Sequence, residues 1–238
     1  NTTGVNNTAI GYVALYSNTT GVQNVAVGVQ ALYTNTGSNN TAIGMNAMRY
    51  NTTGIQNVAI GVQALYNNIT GTANTGMGFQ TLYNNTASNN TAYGFNALYA
   101  NTSGTPNDAY GYQALVNNTT GAYNCAVGSL SLYACTIGTG NVAVGGNSLY
   151  TLVNGYDNVA IGVNALNAAT NYGNTAVGKG AGQSVSTGYE NTFLGYAAGL
   201  TTTALTTGNG NICIGAYTHT SAVGSANQIV IGKRIPGK

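Results

Sequence analysis

One five-residue phrase recurs along this chain, and its fixed spacing constrains the fold more than any other feature. The phrase reads Asn, any residue, Ala, an aliphatic residue and Gly, as in residues 7–11 (NTAIG), and it returns every 16 or 17 residues. A short fixed period indicates a stack of similar units that bury apolar surface against their neighbours. The sequence therefore predicts an all-β parallel solenoid with one coil per repeat, each coil running from one motif Asn to the next.

The Asn that begins each phrase is predicted to form a structural column. In a parallel stack, each side-chain amide can donate to one neighbour and accept from the other. Two looser copies of the phrase begin at Asn211 and Asn227. The Asn residues of the regular copies are Asn7, Asn24, Asn40, Asn57, Asn74, Asn90, Asn107, Asn124, Asn141, Asn158, Asn174 and Asn191.

The residues between the motif Asn and Gly favour a short strand, because β-branched residues surround a central Ala and a Gly ends the run. Strand alternation places the second and fourth motif positions on one face and the Ala on the other. The fourth position is large and apolar, as in Ile10, Val27 and Ile43, so we expect it to fill the core. The Ala row is expected to lie where another backbone approaches closely.

A segment ending in Ala-Leu-Tyr, or a close variant of it, follows many of the motif glycines, for example at residues 14–16 and 31–33. The Leu is expected to enter the core from the opposite wall, while the Tyr ring covers an edge of the coil and can also contact a ligand such as a sugar. At this length the pattern does not distinguish a second strand from one helical turn. The Tyr residues considered as surface contacts are Tyr16, Tyr33, Tyr66, Tyr83, Tyr99, Tyr133 and Tyr150.

The repeated phrases NTAIG, NVAVG and NVAIG resemble the head repeats of trimeric autotransporter adhesins. They equally resemble the repeats of phage and viral tail fibres that precede an intramolecular chaperone of the endosialidase type. The sequence NQIVIG at residues 227–232 is similar to the phrase that often ends such a fibre region. The resemblance covers almost the whole chain and implies a left-handed parallel β-roll in which three chains associate around a long axis. It also implies an extracellular location, on a virion tail fibre or a bacterial surface.

Two regions are distinguished by the regularity of the repeat. Residues 1–198 are predicted to form regular coils, and residues 199–238 irregular C-terminal coils that act as a transition or cap. One turn is expected to be enlarged over residues 200–209. Because the chain starts within a repeat and lacks a charged and apolar leader, we expect it to be a processed or excised segment.

Composition argues against several classes of partner. Charged residues make up 3% of the chain and the formal net charge is +2, so we expect no nucleic-acid binding. No apolar run approaches the roughly 20 residues that span a bilayer, so we expect no membrane insertion. Cys125, Cys135 and Cys213 lack the spacing of a disulfide framework or a zinc site. They are expected to be buried small residues, with a bridge from Cys125 to Cys135 or an interchain bond as alternatives.

The residues that carry chemistry are too few for an active site. His219 is the single histidine, and Asp108, Asp157 and Glu190 lie several coils apart. The glycines of residues 178–182 (GKGAG) lack the βαβ context of a phosphate loop. We therefore predict no catalytic residue, no cofactor, no metal and no enzymatic activity.

Asn-x-Ser/Thr triplets in the turns have two interpretations. They are turn residues in a bacterial or phage protein, and could carry glycans in a eukaryotic secreted one. The triplets singled out begin at Asn18, Asn51, Asn68, Asn101 and Asn118.

The predicted function is that of a structural and adhesive rod, a homotrimeric segment of a tail fibre or surface adhesin with a cell-surface glycan or receptor as its partner. One alternative is a self-assembling extracellular filament, in which coil ends stack head to tail. Another is a glycan-binding or ice-binding solenoid that presents regular Thr and Asn ladders.

Overall fold

A computed structural model describes residues 3–200 and 206–232. These residues contain fourteen short parallel strands and no helix, which confirms the predicted parallel β-solenoid. The chain divides into two compact units, residues 1–122 and 123–238.

The first unit contains seven strands, one at each motif phrase. Each strand pairs in parallel with the next along the chain and in register, so that Ala9 faces Ala26 and Ala26 faces Ala42. The strands are β1 (Thr8–Ile10), β2 (Val25–Val27), β3 (Thr41–Ile43), β4 (Val58–Ile60), β5 (Thr75–Met77), β6 (Asn90–Tyr93) and β7 (Asn107–Tyr110).

The second unit repeats this arrangement with seven further strands. The looser phrases at Asn211 and Asn227 also form paired strands, so the strand ladder continues into the region predicted to be irregular. The strands are β8 (Asn124–Val127), β9 (Val142–Val144), β10 (Val159–Ile161), β11 (Thr175–Val177), β12 (Thr192–Leu194), β13 (Ile212–Ile214) and β14 (Ile229–Ile231).

The segment after each motif Gly forms neither of the two structures that the sequence left open. It is a succession of turns, in which the Leu of Ala-Leu-Tyr has positive φ, for example 51° at Leu65 and 51° at Leu82. The residue two before this Leu is also left-handed, with φ of 57° at Gln63. Left-handed residues turn the chain tightly enough to close a coil of only 16 or 17 residues.

Backbone strain at one exposed position of the coil gives a first prediction. Gln56 precedes a motif Asn with φ of 58°, and Gly140, Gly173 and Gly210 occupy the same position in other coils. We expect Gln56→Gly to leave the free energy of unfolding unchanged or raised by up to about 1 kcal/mol, whereas Gln56→Val lowers it by about 1–2 kcal/mol. Urea denaturation checks this, and equal midpoints for the two variants would contradict it.

The predicted core face of the strand is wrong. The motif Ala points inward and is fully buried at Ala26, Ala42 and Ala59, whereas the fourth position faces outward, with Ile43 39% and Ile161 40% exposed. The Leu of the opposite limb is buried as predicted. The interior of the coil therefore pairs a small residue on the strand with a large residue on the turn segment.

The narrow interior explains this reversal. Gly76 replaces Ala in β5, and a Cβ built there would lie 3.5 Å from Leu65 Cδ1 and 3.0 Å from Thr81 Oγ1. Thr81 stands where other coils have Ala in the Ala-Leu-Tyr segment, so the smaller residue on one wall accompanies a larger one on the other. Side chains as large as Ile at the inward strand position would overfill this space.

After β11 the sizes of the interior residues are reversed, with the large residue on the strand and the small one on the turn segment. Phe193 takes the inward position of β12 and is fully buried, while Gly182 stands where other coils have Leu. A Cβ on Gly182 would lie 2.8 Å from Phe193 Cδ2, and one on Gly199 would lie 2.4 Å from Phe193 Cδ1. The loss of the Leu near residue 182 is thus a volume exchange with Phe193 rather than an empty core.

Part of the predicted C-terminal transition lies outside the described residues. This applies to residues 201–205 of the enlarged turn and to residues 233–238, which include Lys233, Arg234 and Lys238. Among the described residues, no helix is long and apolar enough to cross a membrane.

Candidate functional site

The motif Asn side chains lie in a column inside each unit and link neighbouring coils. From Asn24 to Asn107, the backbone N–H of each motif Asn donates to Oδ1 of the preceding one, at 2.9–3.0 Å. The second unit repeats this bond from Asn141 to Asn211, at 2.9–3.1 Å. The Oδ1 atoms of the column therefore accept mainly from backbone N–H groups. Some also accept from the side-chain Nδ2 of the next motif Asn.

The same side chains also close their own coils. Asn57 Nδ2 donates to Gly71 O at 2.8 Å across the coil interior, and Asn141 Nδ2 donates to Gly155 O at the same distance. The column residues from Asn24 to Asn211 are buried, and Asn7 is half-buried. Each side chain thus replaces water for buried backbone groups that would otherwise lack a partner. Asn227, expected to begin the last copy, is exposed and precedes the column; Gln228 takes that position, and its backbone N–H donates to Asn211 Oδ1 at 3.0 Å.

The first unit contains a second buried column of Asn side chains. The sequence suggested that these Asn residues were ordinary turn residues. Asn68 Nδ2 donates to Asn51 Oδ1 at 3.1 Å, and Asn101 Nδ2 donates to Asn85 Oδ1 at 2.7 Å. The recurrence of Asn three residues before the turn Gly in most of these coils is the sequence signal that could have revealed this column. Its members are Asn18, Asn35, Asn51, Asn68, Asn85, Asn101 and Asn118, and the corresponding residues of the second unit are Cys135, Leu152, Ala169 and Val185.

Burial of the second column bears on the Asn-x-Ser/Thr triplets, because five of its members begin one. In these residues Nδ2 donates to the carbonyl of the Gly three residues on, at 3.0 Å in Asn51 and 2.9 Å in Asn68. An N-linked glycan would attach to this same nitrogen. In the folded chain these nitrogens are enclosed and hydrogen-bonded, so the geometry supports the interpretation as turn residues.

The titratable and nucleophilic residues are dispersed. No disulfide joins Cys125, Cys135 and Cys213, so the alternative of an intrachain bridge is wrong. Burial raises the pKa of both the Cys135 and the Cys213 thiols to about 11, so at neutral pH neither forms the reactive thiolate. Among the described residues, no three His, Cys, Asp or Glu side chains are grouped to hold a metal ion.

The Tyr residues of the Ala-Leu-Tyr segments form stacked columns. The ring centroids of Tyr66 and Tyr83 are 4.9 Å apart with an interplanar angle of 5°, and Tyr133 and Tyr150 are stacked 5.0 Å apart. Stacking turns the ring faces toward neighbouring Tyr residues, so edges and hydroxyls remain for other contacts. Burial raises the pKa of Tyr66 and Tyr83, which keeps these hydroxyls protonated at neutral pH.

Arg49 interrupts the Tyr column of the first unit. It stands in the third coil at the position that Tyr33 and Tyr66 hold in the neighbouring coils. Its guanidinium carbon lies 5.8 Å from the ring centroid of Tyr33 and 5.2 Å from that of Tyr50. Its Nη1 donates to the Tyr66 hydroxyl at 3.4 Å. The cation therefore lies beside the rings of Tyr33 and Tyr50 and contacts the hydroxyl of Tyr66.

The outward side of the motif strands is a broad apolar surface, which we call the outer face. It consists of the second and fourth motif positions and the residue that follows the motif Gly. Two of its members in the third coil are Ile43 and Met45, which are 39% and 48% exposed. Among the described residues, Asp108 is the charged residue of this face in the first unit and Lys179 that of the second.

Aromatic residues enlarge the outer face around β5 to β7. Phe79 stacks on Phe95 at a centroid distance of 5.1 Å, Phe95 stacks on Tyr112 at 5.5 Å, and Tyr93 stacks on Tyr110 at 5.1 Å. Four of these rings are large exposed apolar groups, and Tyr93 is half-buried. Exposed apolar surface of this extent is typical of interaction sites.

Three further residues, His219, Asp157 and Glu190, are not part of these ladders. His219 Nδ1 is 2.8 Å from the carbonyl oxygen of Thr220, and Asp157 and Glu190 precede motif Asn residues in left-handed backbone conformation. Comparison of the chain with protein-family models, with curated proteins and with solved structures found no match.

Proposed function

We propose that this chain is a structural and adhesive rod segment whose copies associate through the outer face. The single observation that supports this most strongly is the outward direction of the large aliphatic residues of the motif strands. Leu194 is 46% exposed and Ile161 is 40% exposed, although both are apolar and belong to paired strands. Burying such side chains contributes about 25 cal/mol for each Å² removed from water.

A second copy of the same chain suits this face better than a charged partner. The face carries one charged residue in each unit among the described residues, so there is little for a charged surface to recognise. The side chains repeat with the strand spacing, and a copy with the same spacing can place its rows between them. Symmetric association of identical chains is the commonest way in which soluble proteins cover such surfaces.

In its specific form, the proposal is that three copies associate around a long axis, in a tail fibre or a bacterial surface adhesin. Its support is the resemblance of the NTAIG-type phrases to repeats of those fibres, with the motif strand facing the partners. The buried Asn columns suit a long, stiff spacer, because each coil is bonded to the next by both backbone and side chains. An extracellular location follows from the same proposal.

Light scattering coupled to size-exclusion chromatography tests the association. We expect the unmodified chain to be an oligomer, with a mass three times that of the chain in the trimeric version. Adding a charge to the outer face in each unit, by Ile43→Lys and Ile161→Lys, is expected to weaken association on the order of 100-fold because each Lys would be buried without a partner.

The matched control places the same charges on exposed turns, by Thr53→Lys and Thr187→Lys, and should leave the mass unchanged. Circular dichroism would verify that both pairs of variants keep the β-solenoid. An unmodified chain that stays monomeric at all concentrations would refute self-association, and an unchanged mass for the Ile variants would exclude the outer face.

A further inference from the structure

Arg49 forms no ion pair with the acidic residue of its unit. Arg49 is the single Lys or Arg in residues 1–122, and Asp108 is the single acidic residue. Asp108 lies on the outer face four coils further along, and no ion pair of Arg49 is present among the described residues. The guanidinium sits instead in the Tyr column, on a different side of the coil from the motif strands.

The Tyr rings stabilise the cation without satisfying its hydrogen bonds. A cation over an aromatic ring gains a modest attraction at exposed sites, yet a guanidinium has five N–H donors. One bond is made, from Nη1 to the Tyr66 hydroxyl at 3.4 Å, and Nε is buried without a partner. The outer edge of the guanidinium therefore keeps donors that match the two oxygens of a carboxylate.

Tyr50 adds an aromatic ring that lies outside the stack. It belongs to the neighbouring column, where the adjacent coils carry Thr34 and Asn67. Its ring is nearly perpendicular to that of Tyr66, at 85°, whereas Tyr66 and Tyr83 are parallel. Tyr50 is 38% exposed, so part of its ring remains available beside the guanidinium.

This combination of groups has the chemistry of a site for an acidic sugar. An aromatic ring can pack against the apolar side of a pyranose, and the Tyr66 hydroxyl and the Asn67 amide can exchange hydrogen bonds with sugar hydroxyls. The guanidinium supplies the charge that a sugar carboxylate requires. Neutral polar residues elsewhere in the Tyr columns offer no such charge.

We propose that Arg49, together with Tyr50 and Tyr66, binds the carboxylate and ring of an acidic saccharide. This inference deepens the adhesive part of the proposed function by naming a ligand class, and it rests on that part alone. It does not require any particular number of chains in the fibre.

NMR titration of the full chain with trigalacturonate and with 3′-sialyllactose tests the site, in a buffer free of carboxylate and phosphate. We expect millimolar binding that weakens with added salt, with shifts centred on Arg49 and Tyr50, and no shifts with neutral lactose. Arg49→Gln should weaken binding at least about tenfold, because the charge-assisted bonds are lost.

The decisive control is Arg49→Tyr, which places in the third coil the residue that its neighbours carry. This variant should keep the oligomeric mass and the melting temperature of the unmodified chain while losing the acidic saccharide. Equal binding by Arg49→Tyr, or no shifts with either acidic saccharide, would overturn the proposed site. Because self-association is measured separately by light scattering, loss of the site and loss of the fibre proposal would be distinguished.

Discussion

Replacing Gly61 with Ala is expected to lower the free energy of unfolding by roughly 2–6 kcal/mol, the sum of backbone strain and steric overlap. Gly61 ends the phrase of the fourth coil with φ of +136°, a conformation that L side chains rarely adopt. An added Cβ would lie 2.3 Å from Gly78 O and 2.7 Å from Gly78 C in the next coil. Because backbone atoms of a packed strand cannot move away, the two coils would have to separate.

Gly146→Ala is the matched control for this substitution. A Cβ on Gly146 has as its nearest neighbour Ser129 O at 3.8 Å, an ordinary contact, and the backbone there is not left-handed. We expect that variant to be as stable as the unmodified chain or slightly more stable. Urea denaturation followed by circular dichroism would compare the two, and equal midpoints would show that the glycine column does not set the coil spacing.

Replacing Asn57 with Ala is expected to cost roughly 2–5 kcal/mol, because a buried backbone donor is left unpaired and further hydrogen bonds are lost. Asn57 Oδ1 accepts from the Asn74 N–H at 2.9 Å, and this donor would have no replacement inside the coil. Asn57 Nδ2 also donates to Gly71 O at 2.8 Å and to Asn40 Oδ1 at 3.1 Å. Hydrogen exchange of the Asn74 amide would report the loss locally.

Two variants separate the effect of burial from that of residue type. Asn67→Ala removes one half-buried bond, from Nδ2 to Asn84 Oδ1 at 3.1 Å, and should cost less than about 1 kcal/mol because water can replace it. Asn57→Asp should be destabilised most at neutral pH, since burial disfavours the carboxylate and raises its pKa. Its stability should rise as the pH falls from neutral to about 4, the pKa of an unfolded Asp, and level off below that; a constant stability between pH 7 and about 4 would contradict the buried column.

The predictions that held depend on local chemistry. The motif phrase contains a strand and a terminating Gly, and the fixed period requires parallel stacking, so both features follow from residues such as Val58, Ala59 and Gly61. The Leu of the opposite limb was also placed correctly, because one large apolar residue recurs among polar and small ones. The second Asn column was missed because Asn68 and its counterparts also fit a solvent-exposed turn, and sequence gives no measure of burial for an amide.

By itself the sequence determined a parallel solenoid with one coil per phrase, because only stacking of neighbours can bury so regular a pattern. The tertiary structure decided which strand face is inside. Alternation gives two faces, and size alone favoured Ile43 and Ile60 over Ala42 and Ala59 for the core. The coil is so narrow that Leu65 from the opposite limb already reaches the strand backbone, as its 3.5 Å approach to a Cβ at Gly76 shows. Where the opposite limb carries Leu, a residue no larger than Ala fits at the inward strand position, so the large aliphatic residues face outward.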